Sequence, residues 1–103
     1  MAKRIKKFAL EDGLVFASKL ETQLDAQDVL MDIQVDNANA VATCTFDDRD
    51  GSETIPPTKK PFSFDVLNGV AFAEQLWMHT DIGNKLVWMV VHQAEGTADC
   101  WFE

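Results

Sequence analysis

Few residues of this chain have the type and spacing to do chemistry, and the first pair is His92 and Asp99. They sit on two consecutive segments that alternate apolar and polar residues, so a hairpin closed by a two-residue turn would set them face to face. An aspartate that orients an imidazole is half of a general-base arrangement. The other half is missing: Cys100 alternates onto the opposite face, and a serine nucleophile would have to come from elsewhere. A cross-strand pair that stabilises a sheet is therefore the expected role. Cys44 and Cys100 fall at matching core positions and are expected as buried free thiols, although they could approach one another if the two segments that carry them paired. His79 falls in the last turn of a predicted helix, where a cation complements the helix dipole.

The run Asp47-Asp48-Arg49-Asp50-Gly51-Ser52-Glu53 carries the Asp-x-Asp-Gly piece of a calcium loop. Phe46 stands where the first ligand belongs, and Glu53 comes too early for the bidentate twelfth position, so a polar turn is expected. Zinc-type cysteine spacing, a phosphate-cradling glycine loop, a His-Glu-x-x-His helix and a nucleophile elbow are all absent from the sequence. The expectation is a non-enzymatic protein with no catalytic residues, no metal and no cofactor.

Positioning elements follow from an internal repeat. Sliding residues 8–47 onto 64–103 without a gap gives twelve identities in forty pairs, among them Phe8/Phe64, Gly13/Gly69, Phe16/Phe72, Leu30/Leu86, Cys44/Cys100 and Phe46/Phe102. Ordinary composition would give roughly two or three. The chain reads as one domain, 1–103, made of repeat 1 (about 3–47), a linker (48–60, with a Pro-Pro pair) and repeat 2 (about 61–103).

In repeat 2 the helical period runs through residues 66, 69/70, 73, 76/77 and 80, with Asp65 as N-cap and Gly83 as stop. Repeat 1 offers Leu10, Gly13/Leu14, Ala17, Leu20 and Leu24. The paired glycines at 13 and 69 are placed mid-helix on the inward face, where close backbone packing would explain them. Alternating segments then predict strands over Val29–Asp36 and Val41–Asp47, and over Lys85–His92 and Thr97–Phe102. Asn39 and Gly96 are the turn residues suited to positive φ. Ile5–Ala9 and Pro61–Phe64 could each add a leading strand. The fold class is α+β: a two-layer sandwich, an antiparallel sheet with two helices on one face, built from an internal (β)αββ duplication.

This order resembles the tandem strand-helix-strand-strand arrangement of GyrI-like small-molecule-binding and regulatory domains. The resemblance is one of topology, each copy here being short for that family, and it implies a ligand-binding role.

Alternation assigns Met31, Ile33, Val35 and Val87, Met89, Val91 to the helix side, together with Ala42, Cys44, Phe46 and Ala98, Cys100, Phe102. The other side differs between copies. Copy one shows Asp32, Gln34, Asp36, Thr43, Thr45 and Asp47; copy two shows Trp88, Val90, His92, Asp99, Trp101 and Glu103. A four-residue loop would put Trp88 opposite Trp101, and a two-residue loop would make them diagonal neighbours. Trp88, Val90, His92, Asp99 and Trp101 form the expected binding surface, since exposed tryptophans mark contact sites. A homodimer joined through this face is expected; the other covers considered are the linker or the N-terminal segment, and a heterologous partner or small ligand. On the helix, Glu21 of copy one corresponds to Trp77 of copy two, which is expected at the flank of the core.

The 103 residues carry nine Lys and Arg against seventeen Asp and Glu, a net charge of −8, yet Lys3, Arg4, Lys6 and Lys7 crowd the start. An acidic body argues against direct nucleic-acid or membrane binding and suits a protein target with a basic surface. No apolar run approaches a membrane span, and no signal-peptide core follows the basic start, so a cytoplasmic location is expected. The leading functional expectation is a small acidic binding protein acting through protein contact, as an accessory, inhibitor or immunity-type factor, with mimicry of nucleic-acid charge as one form of that contact. The alternative is a small-molecule module with a pocket between the repeats or on the Trp88/Trp101 face.

Overall fold

The computed structural model describes residues 4–51 and 54–103. Each half of the chain begins with an edge strand, β1 (Arg4–Ala9) or β4 (Phe62–Asp65), and continues into a helix, α1 (Gly13–Asp25) or α2 (Gly69–Asp81). Two strands complete each half: β2 (Asp28–Asp36) and β3 (Val41–Asp48), then β5 (Leu86–His92) and β6 (Thr97–Phe102). The six strands form one antiparallel sheet in the order β1-β3-β2-β5-β6-β4, and both helices cover one face. Among the described residues no helix is long and apolar enough to cross a membrane.

The helices start later than their apolar period alone suggests. Asp12 caps α1 by accepting from the Val15 amide at 3.2 Å, and Asn68 caps α2 by accepting from Ala71 at 3.1 Å. Asp65, expected as the cap, instead ends β4 and accepts from the Leu67 amide at 2.8 Å. Both residue types cap well, and the strand claims the first. Gly13 and Gly69 consequently open their helices and do not lie mid-helix. Gly83, at φ +96, follows the α2 C-cap as expected. In the hairpins the positive-φ residues are Ala40 and Gly96; Asn39 instead donates its side-chain amide to Asp36 at 2.8 Å.

The two halves meet at one backbone pair, Leu30 with Leu86, where β2 touches β5. Beyond that pair the strands diverge, and the helices bridge the gap: α1 packs chiefly on β5, and α2 on β2. Phe16 meets Phe72 edge-on at 5.9 Å between the helices. Each half thus buries its sheet under the other half's helix. Fully buried Phe16, Phe46, Phe72, Leu20, Leu30, Leu76, Leu86 and Met89 form the single core. Each such side chain contributes roughly 1.5–3 kcal/mol relative to exposure.

One strand expectation is corrected. The β2–β3 ladder skips Met31, and the β5–β6 ladder skips Val87, so both are bulge residues. A bulge inserts an unpaired residue and switches the face of what precedes it. Leu30 and Leu86, fully buried, therefore take the helix-facing places assigned to Met31 and Val87, which line the opposite face.

Candidate functional site

The β5–β6 hairpin closes with four loop residues, which pairs Trp88 with Trp101, Val90 with Asp99 and His92 with Thr97 on the face away from the helices. His92 and Asp99 are then diagonal neighbours, and the imidazole Nε2 still lies 3.1 Å from Asp99 Oδ2. Both are partly exposed, so solvent screens the pair. Ser63 is the cross-strand neighbour of Asp99, yet among the described residues it makes no hydrogen bond to the pair.

Cys44 and Cys100 are buried free thiols on the helix side, and β3 and β6 lie apart in the sheet, on either side of the central β2–β5 pair. Burial pushes the Cys44 thiol up to about 12 and raises that of Cys100 further still, with Asp32 and Asp99 adding to the same direction. Thiolate formation is suppressed, and with it nucleophilic chemistry.

The two tryptophans are half-buried. The linker supplies part of the cover, since Trp101 Nε1 donates to the Lys59 carbonyl at 2.6 Å. Arg49, just past β3, places its guanidinium 5.7 Å from the Trp88 ring centre while donating to the Leu24 and Val87 carbonyls at 2.7 and 3.2 Å. Val90 is also half-buried, and His92 is exposed. His79 turns its ring into a cluster with Phe102 at 4.1 Å and Phe62 at 4.8 Å, so packing dominates its surroundings.

Sequence reasoning missed a second surface. Trp77, Met78 and Ile82 stand 38%, 56% and 75% exposed along α2 and its C-cap. The matching positions of the first half are Glu21, Thr22 and Ala26. Glu21 is occupied, accepting from the Val91 amide at 3.1 Å where β5 has left β2. Trp77 lines the corresponding cleft of about 250 Å³ with Gln34, Val35, Asn37 and Glu74. A comparison of Met78 with Thr22 and Ile82 with Ala26 carries the signal in the sequence.

A third feature is a depression of about 220 Å³ on the face away from the helices, where the two halves meet. The fold and these surfaces define an α+β sandwich whose unlike faces are concentrated in its second half. No protein-family model matches the chain, and neither a curated protein nor a solved structure shows detectable similarity to it.

Proposed function

We propose that this chain is a small acidic, non-enzymatic binding protein that acts through protein–protein contact, as an accessory, inhibitor or immunity-type factor. One observation carries the reading: a helix that has already buried one face against the sheet carries Trp77, Met78 and Ile82 on its outer surface, where the other helix has polar or small residues. Met78 and Ile82, more than half exposed, contribute little to the monomer and favour association, with the exposed edge of Trp77 beside them. The net charge of −8 adds attraction for a target with a basic surface, and mimicry of nucleic-acid charge belongs to the same reading. The proposal includes descent of both halves from one duplicated βαββ unit, a cytoplasmic location, and a homodimer joined through Trp88, Val90, His92, Asp99 and Trp101.

Immobilised wild-type protein and a Met78→Asp/Ile82→Asp variant are exposed to extract of the native cell. A protein retained by the wild type, lost with the variant and released by moderate salt supports the reading. Identical captured sets from the two would refute it.

A further inference from the structure

The two clefts beside the central strands are built alike and filled differently. Beyond the Leu30–Leu86 pair, β5 leaves its inner edge beside α1, and β2 leaves its own beside α2. On the α1 side Glu21 closes that edge, its Oε2 accepting from the Val91 amide at 3.1 Å, so the Val91 N–H points off the β5–β6 ladder. Val35 holds the same register place, opposite Ala42 as Val91 is opposite Ala98. Its N–H therefore points off the β2–β3 ladder in the same way. It faces the cleft of about 250 Å³ that Val35 lines, with Trp77 standing in the place of Glu21. An indole offers no acceptor to an amide, and among the described residues no side chain accepts from Val35.

A second exchange sets the polarity. Ser18, one turn before Glu21, corresponds to Glu74, one turn before Trp77. Ser18 meets Gln93 at 3.5 Å, and Glu74 makes the matching contact, accepting from Asn37 Nδ2 at 3.1 Å through Oε2. The α2 cleft thus combines a backbone donor, a carboxylate acceptor and an indole wall. A carboxylate in the place of Glu21 would meet Glu74 as a like charge, and an ammonium would leave the Val35 donor unanswered. A primary carboxamide satisfies both, because it carries one acceptor and two donors in one plane.

We propose that this cleft takes a glutamine side chain from a partner protein, its carbonyl accepting from the Val35 amide, its NH2 donating to Glu74 and its stem lying against Trp77. Glutamine is the neutral isostere of the side chain that fills the other cleft, which sets the reach. The partner repeats from outside the contact that Glu21 makes within the chain. Trp77 also belongs to the exposed face of α2, so the inference rests on that reading for its source in a protein and names the group which that surface recognises.

The test is a titration followed by amide and indole NMR shifts, using the capped peptide Ac-Ala-Ala-Gln-Ala-Ala-NH2 and its counterparts with Glu or Leu at the centre. Saturable shifts at Val35, Asn37 and Trp77 are expected with the Gln peptide, and binding at least about tenfold weaker with the other two. Glu74→Gln removes the like charge and should bring the Glu peptide to within about threefold of the Gln peptide. Trp77→Glu/Glu74→Ser rebuilds the other cleft; it should abolish binding and slow exchange of the Val35 amide toward the rate of Val91, while the spectrum stays dispersed. Equal response to the three peptides, shifts located elsewhere, or unaltered selectivity in Glu74→Gln would overturn the proposal. A Gln peptide that binds while captured proteins ignore Met78 and Ile82 refutes the reading of the α2 face alone, and the reverse pattern refutes the cleft alone.

Discussion

Gly13 and Gly69 meet across the two helix starts so closely that neither can carry a side chain. A Cβ on Gly13 would collide with the Val66 carbonyl oxygen and lie 3.0 Å from the Gly69 nitrogen; one on Gly69 would collide with the Leu10 carbonyl oxygen and lie 3.2 Å from the Gly13 Cα. The relation is reciprocal, because Leu10 and Val66 occupy matching places in the two halves. Both obstacles are backbone and cannot rotate away.

Gly13→Ala and Gly69→Ala should therefore each destabilise the fold. Within an ordinary helix the change would gain up to about 1 kcal/mol. Here the collision forces the helices apart over the buried Phe16–Phe72 contact, at about 3 kcal/mol or more. Urea unfolding of the single variants reads the sign directly.

Much of this arrangement was legible in the sequence, and the part that was not has physical reasons. The apolar period of 3.6 located both helices, and alternation located the strands, because burial imposes periods of 3.6 and 2 on residue type. The bulges escaped notice because Leu30 and Met31, like Leu86 and Val87, are both apolar, so the pattern reads equally well in either phase. The linker was among the covers the sequence left open for Trp101, but the group that makes the contact is the carbonyl of Lys59, which every residue possesses, so no side-chain pattern singles it out. The α2 face was visible in principle, but only by comparing helix positions that look outward, where neither period is enforced.

The hydrogen bond from Trp101 to Lys59 ties the linker to the sheet. Trp101→Phe keeps an aromatic ring opposite Trp88 and removes the donor, so stability should fall by about 1 kcal/mol. The informative readout is limited proteolysis, because release of the linker should speed cleavage near Lys59 and Lys60 more than global stability predicts.

The α2 face makes an opposite prediction about stability. Met78 and Ile82 are exposed, so Met78→Asp/Ile82→Asp should leave the denaturant midpoint nearly unchanged, within about 0.5 kcal/mol per site. Sedimentation then separates two uses of the surface. If the wild type is a dimer joined through the open sheet face, Trp88→Ala/Trp101→Ala shifts it toward monomer and the α2 variant does not. A dimer dissociated by the α2 variant alone would place the self-contact on the helix.

Stability should also fall in alkali because of the two buried thiols. The ordinary thiol value is 9.0; burial raises Cys44 to about 12 and Cys100 higher. Between those values the unfolded chain loses thiol protons that the folded chain keeps, so fewer protons are bound in the unfolded state and stability declines as pH rises. The contribution is fully present below pH 9 and diminishes through the window up to about 12. Urea midpoints measured from neutral pH to about 10.5 should decrease, and Cys44→Ala/Cys100→Ala should flatten the decrease while lowering the starting stability through lost packing. Native thiols should meanwhile resist alkylation at neutral pH until the protein unfolds. An unaltered slope in the double variant, or rapid labelling of the folded chain, would show that the thiols are not sealed in the core.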